Sequence, residues 1–211
     1  MQIVEIKGFN KEIKGISVLH DINLTMKSGQ VYGLMGDNGS GKTMLMRAIC
    51  GLIRPTSGDI LFDGKKREDA NPTIGAMIEN TSLYPDMTGS DNLRLLAKIR
   101  RQADADDIRQ AISRVGLDPN DKRVYRKYSL GMKQRLLLAQ AIMEKPDVLL
   151  LDEPTNAIDK AGVELVHTIM QEEAKRGAVV LLASHIDVDI RNFCSSIYLM
   201  EQGSLCQEVS K

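Results

Sequence analysis

Gly36-Asp37-Asn38-Gly39-Ser40-Gly41-Lys42-Thr43 decides how the rest of this chain is read. It fits the pattern GxxxxGK[ST], and both of its flanks are right for that pattern. Upstream, Val31-Tyr32-Gly33-Leu34-Met35 is a short apolar run that predicts a buried strand. Downstream, Met44 to Cys50 predicts a helix that stops at Gly51. A strand, a glycine-rich loop and a helix in this order place backbone N–H groups and a helix N-terminus around an anion. Gly36, Asp37, Asn38, Gly39, Ser40 and Gly41 would wrap phosphates, with Lys42 reaching the outer ones and the Thr43 hydroxyl binding Mg²⁺. A glycine-rich turn without chemistry would not need both flanks.

A second strand ends in acid: Val148-Leu149-Leu150-Leu151-Asp152-Glu153. Acidic pairs after strands are often only solvated turn residues. Beside a phosphate loop, however, Asp152 is placed to hold a Mg²⁺ shell, and Glu153 to act as general base toward a water. Ala178-Val179-Val180-Leu181-Leu182 is another unbroken apolar strand, of the kind buried on both faces. A helix over 160–176 links the two as a βαβ unit. Ser184-His185 follows this strand and puts an imidazole at its end.

Outward from these motifs the chain divides by period. The first thirty residues read as β, over Ile3 to Phe9 and Ser17 to Met26, followed by strands at 58–64 and 74–78. Residues 90–141 turn helical, with Leu93, Leu96 and Ala97 on one face, and Ile108, Ala111, Ile112 and Val115 on another. The end, 197–200 and 204–207, reads as a closing hairpin.

Composition limits the alternatives. Lys plus Arg equal Asp plus Glu at 28 each, so no net basic field favours nucleic acid. Cys50, Cys194 and Cys206 form no CxxC pair and no metal-ligand spacing with the three histidines, and are expected to be reduced and mostly buried. No apolar stretch approaches the roughly 18 residues of a membrane span, and Met1 to Lys7 carries no signal-peptide pattern.

At this point the chain resembles the ABC ATPase family over essentially its whole length. Tyr128-Ser129-Leu130-Gly131-Met132-Lys133-Gln134-Arg135 resembles that family's signature, usually LSGGQ, with Ser129 and Gly131 matching and Leu130 and Met132 departing. Pro154-Thr155-Asn156-Ala157-Ile158-Asp159 resembles the D-loop, with Asp159 as its acid, and His185 resembles the switch histidine. Two positions differ from the family. Glu79 stands where a glutamine is usual, and Ile13 where an aromatic ring normally stacks on adenine. The Glu79 form and the run from Tyr84 to Leu93 resemble lantibiotic-immunity and bacitracin-resistance exporters.

The resemblance implies an α/β P-loop NTPase of ABC type in one domain over 1–211. It would have a RecA-like core, an antiparallel β subdomain and an α-helical subdomain at about 84–142. It implies a Mg²⁺-dependent ATPase in which Lys42, Glu153 and His185 are catalytic, Ile13 packs on the base, and Thr43, Asp152 and Glu79 face the metal. Ser129 and Gly131 would cap ATP on the opposite subunit of a homodimer or heterodimer. A separate transmembrane permease would export a peptide antibiotic or other amphipathic drug, with this chain cytoplasmic and peripheral on the inner membrane face. Two rival classes remain. A soluble ABC protein of ribosomes or DNA usually carries paired ATPase domains or long insertions. A regulatory nucleotide-binding module would hydrolyse poorly.

Overall fold

The computed structural model describes residues 1–78, 82–156 and 158–210. Its centre is a six-stranded sheet in the order β10-β9-β3-β8-β7-β6. These strands are β3 (Val31–Met35), β6 (Ile74–Met77), β7 (Val148–Asp152), β8 (Val179–Ser184), β9 (Ser196–Glu201) and β10 (Ser204–Ser210). The pairs β6–β7, β7–β8, β8–β3 and β3–β9 are parallel, and only β10 runs antiparallel, as the second arm of the expected hairpin.

Parallel strands buried on both faces need apolar residues at every position, and β7 and β8 supply them. Val148 and Leu150 pack into one cluster with Val179, Leu181 and Ala183. Leu149 and Leu151 pack into the opposite one with Val180 and Leu182. The pleat alternates the side chains, so one strand serves two cores. Each fully buried leucine contributes on the order of 1.5–3 kcal/mol, which explains why the run tolerates no charge before Asp152.

The first core lies under the N-terminal strands. β1 (Ile3–Ile13), β2 (Ile16–Lys27), β4 (Ser57–Phe62) and the short β5 (Lys65–Lys66) form an antiparallel sheet in the order β2-β1-β4-β5. Val4, Ile6 and Phe9 of β1 and Leu19, Ile22 and Leu24 of β2 are buried against α1 (Lys42–Ile49). β1 and β2 run longer than the periodicity suggests, because the Lys14-Gly15 turn with positive φ at both residues joins them directly. The short α2 (Arg67–Ala70) follows β5.

The second core lies under the helices α3 (Gly89–Arg100), α4 (Ala105–Arg114), a 3₁₀ turn (Tyr125–Lys127) and α5 (Leu130–Ile142), with α6 (Lys160–Arg176) beside them. α3 starts where Thr88 accepts the Asp91 N–H, and α4 starts on a reciprocal Asp104/Asp107 box. Arg114 at the end of α4 reaches the buried Glu173 of α6 at 2.7 Å and Glu172 at 2.8 Å, tying the helical layer to the core. α7 (Asp187–Phe193) escapes periodicity analysis because it is only seven residues long, anchored by the buried Ile190 and Phe193. The expected parallel core, antiparallel sheet and helical layer are thus all present.

The cysteines correct the expectation of mostly buried thiols. Only Cys194 is buried; Cys50 is partly exposed at the end of α1, and Cys206 is exposed on the edge strand β10. Burial of its thiol still pushes the Cys50 pKa up to about 11. No described helix is long and apolar enough to cross a membrane.

Candidate functional site

The strand order builds the site. β8 lies between β3 and β7, and its register sets Met35 opposite Ser184 and Asp152 opposite Ala183. The glycine-rich loop after β3, the acidic end of β7 and the histidine after β8 therefore emerge side by side at the carboxyl edge of the sheet.

The loop is shaped by glycine where no other residue fits. Gly36 leaves β3 so close to the neighbouring hairpin that a Cβ would sit 2.2 Å from the Met200 carbonyl oxygen. Gly41, at φ 113°, turns the chain into α1 through the left-handed region. Lys42 is the first helical residue and is buried; its ammonium donates to the Gly36 carbonyl at 2.6 Å and to that of Asp37 at 3.1 Å. It is held inside the loop it would share with a phosphate. The turn of the β9–β10 hairpin buttresses the loop from outside, with Gly203 N–H donating to the Ser40 carbonyl at 2.8 Å.

At the carboxyl edge of the sheet, Thr43 Oγ1 donates to Asp152 Oδ2 at 2.6 Å, across 109 residues of sequence. A hydroxyl and one carboxylate side by side form a partial set of hard oxygen donors. Mg²⁺ accepts such a set when phosphate oxygens and water complete the octahedron. No group of three or more His, Cys, Asp or Glu side chains among the described residues forms a self-sufficient metal cage. The residues present thus suit a cation that arrives with a phosphate ligand.

Glu153 sits in the left-handed region at φ 50°, which costs a residue with a Cβ on the order of 1–3 kcal/mol. That turn aims its carboxylate back at β8. Its Oε1 accepts the His185 backbone N–H at 3.0 Å, and His185 Nδ1 lies 2.8 Å from the same oxygen. Its other oxygen accepts the Ser184 hydroxyl at 3.2 Å. These three contacts hold the carboxylate in one orientation.

Lys42, Thr43, Asp152, Glu153 and His185 all line one cavity of about 770 Å³, together with Asn38, Gly39 and Gly41. Gly36, Asp37 and Ser40 lie in the loop behind it. Ile13 stands at the β1–β2 turn, 38% exposed, and the β2 residues that line the cavity are Ser17 and Val18. Ser129 and Gly131 line neither this cavity nor the smaller one beside Glu153. Ser129 is exposed and caps α5, accepting the Met132 N–H at 3.2 Å. Asp159 caps α6 and meets Arg135 of α5 at 3.3 Å. Glu79 and Ala157 lie outside the described residues.

Sequence reading missed Ser17, Val18, Met44, Arg47, Asn156, Gln202 and Gly203 in the lining. Arg47 had a usable signal: it lies four residues after Thr43 on a helix, hence on nearly the same face. The hairpin turn at 202–203 carried none, because its proximity comes from tertiary packing alone.

The family model described as ABC transporter matches residues 19–156. The chain belongs to the ABC transporter family, as an ATP-binding subunit. An uncharacterized ABC transporter ATP-binding protein of Bacillus subtilis, YybJ, is 48% identical over 96% of this chain and 94% of its own length. The bacitracin transport ATP-binding protein BcrA of Enterococcus faecalis is 34% identical, over 99% of this chain and 69% of its own. The lantibiotic transport ATP-binding protein SrtF of Streptococcus pyogenes is 32% identical, over 98% and 90%. A solved ATP binding subunit of an ABC transporter superposes with TM-score 0.89 at 25% identity, covering 99% of this chain and 90% of that one. For this ABC ATPase the fold is accordingly the P-loop type with a RecA-like core, and family membership supports ATP hydrolysis.

Proposed function

We propose that this ABC ATPase is the Mg²⁺-dependent motor of an exporter whose cargo is a peptide antibiotic or similar amphipathic drug. What carries the reading is the convergence of Lys42, the Thr43–Asp152 pair and the Glu153–His185 pair on one cavity. The cargo class is supported by relatives named for bacitracin and lantibiotic transport.

In this reading the loop over 36–43 binds the phosphate chain through backbone N–H groups, and Lys42 exchanges its two carbonyl partners for phosphate oxygens. Thr43 and Asp152 hold Mg²⁺, which when bound neutralises charge building on the transferred phosphoryl group. Glu153 takes the proton of the attacking water, and His185 orients Glu153 and faces the γ-phosphate. Residues 1–211 act as one ATPase domain, with 84–142 as the helical lobe. Two such domains close head to tail, with Ser129 and Gly131 of each serving the other's nucleotide and Asp159 as the acid of the D-loop. A membrane permease is the partner, so the chain works at the inner membrane face. Phosphate release by the purified chain tests the enzyme part: activity is expected with Mg²⁺ and to fall to background in excess EDTA. Equal release in both would remove Thr43 and Asp152 from metal binding.

Glu79 is proposed to link the site to the permease. A glutamate there adds full negative charge where the family has an amide, and such charge is compensated only when a cation is bound. Glu79→Ala is expected to reduce drug resistance of cells expressing the whole transporter several-fold more than it reduces ATPase activity of the isolated chain. Full resistance in that variant would make the position a bystander.

A further inference from the structure

The cavity has two ends, and only one of them does chemistry. Asp152, Glu153 and His185 line it on the β7–β8 side of the loop. β9 and β10 lie on the other side of β3, and their connecting turn brings Gln202 and Gly203 to the opposite end. Ser17 and Val18 of β2 join them there, since the His20 N–H donates to the Gly203 carbonyl at 2.8 Å. A nucleotide with its phosphates over Gly39–Thr43 and its γ-phosphate at Glu153 must extend its base toward this second end.

No phenylalanine, tyrosine or tryptophan lines that end. The chain has no tryptophan, and its aromatic rings are committed elsewhere. Phe9 and Phe62 are buried in the core under the antiparallel sheet, and Tyr32 stacks on Tyr198. Phe193 stacks on His167, while Tyr125 and Tyr128 pack in the helical layer. Tyr84 is exposed in the loop before α3 and lines no part of this cavity.

One side chain in the lining has the shape and charge to replace a ring. Arg47 lies on α1 one turn beyond Thr43, about 6 Å further along the helix, and its side chain reaches the same cavity. Among the described residues it forms no ion pair, like Arg54, Arg67, Arg100, Arg101 and Arg109, but unlike them it lines the cavity. A guanidinium is planar and weakly hydrated, and it stacks on the face of an aromatic system. The phosphates already have the loop amides, Lys42 and the helix N-terminus.

We propose that Arg47 is a base-contacting residue, its guanidinium lying against the nucleobase beside Val18 in place of an aromatic ring. The assignment rests on the nucleotide reading of the cavity. It makes base recognition depend on a stacked cation, which is tolerant of which purine is bound.

The test compares ATP with ribose 5-triphosphate, which keeps the sugar and phosphates but has no base, in competition against a fluorescent ATP analogue. Arg47→Ala is expected to weaken ATP about 2- to 30-fold, the range of a cation–π contact. The affinity for ribose 5-triphosphate should stay the same, which also certifies that the variant is folded. Equal losses for both ligands would place Arg47 on the phosphates and overturn the proposal, as would wild-type affinity for ATP in Arg47→Ala. If the wild-type chain bound neither ligand, the nucleotide reading itself would fall instead.

Discussion

Replacing Glu153 by glutamine is expected to lower ATP turnover by about two orders of magnitude or more, while ATP still binds. The amide keeps the size of the carboxylate and can still accept from the His185 N–H, which lies 3.0 Å from Oε1 in the native chain. What it loses is basicity, and a positioned general base contributes roughly 10²–10⁴ in rate. The backbone at φ 50° should persist, because the Glu153 N–H still donates to the Ala183 carbonyl, 2.9 Å away, whichever side chain it carries. Lys42→Ala should fail differently, with ATP affinity and turnover falling together, since the buried ammonium would serve bound phosphate. Phosphate release and nucleotide binding measured on both variants separate the two roles. Undiminished turnover in Glu153→Gln would take the carboxylate out of the reaction.

The parts of this protein legible in its sequence are those whose physics is local. The unbroken apolar runs of β7 and β8 announce strands buried on both faces, because they are short, rich in Val and Leu, and bounded by turn residues. The glycine-rich loop announces itself because Gly36 and Gly41 occupy positions where a Cβ would collide or strain. What stayed hidden depends on assembly. That β8 separates β3 from β7 is a fact of sheet order, and it alone explains how His185 comes to lie 2.8 Å from Glu153. Gln202 reaches the cavity only because the last hairpin folds back over the loop, and no spacing within residues 196–210 encodes that. Ile13, assigned to the base by counting along the chain, stands at the turn before β2, whose Ser17 and Val18 line the cavity.

ATP is expected to convert the chain from monomer to dimer, most completely in Glu153→Gln, where the closed state cannot hydrolyse its way open. The reason lies in the start of α5. Ser129 is exposed, its backbone is extended, and its hydroxyl caps the Met132 N–H at the positive end of the helix dipole. Neither Ser129 nor Gly131 lines the chain's own cavity, so in the head-to-tail reading this end serves a phosphate held by another copy. Removing the hydroxyl alone would be ambiguous, because Ser129 also caps the helix and Ser129→Ala costs about 1 kcal/mol of that cap. Ser129→Asp avoids the ambiguity. Aspartate is as good an N-cap as serine, so the helix and the monomer should keep their stability. Its charge, however, would face the γ-phosphate across the interface at both sites, replacing attraction with like-charge repulsion. A charge-assisted hydrogen bond is worth about 1.5–3 kcal/mol, and losing two per dimer raises the dissociation constant by roughly 10²–10⁴. Light scattering of the Glu153→Gln chain with ATP should therefore report a dimer, and the Glu153→Gln, Ser129→Asp double variant a monomer with an unchanged unfolding midpoint. A double variant that still dimerises with ATP would show that α5 faces no nucleotide, and the head-to-tail arrangement would have to be abandoned.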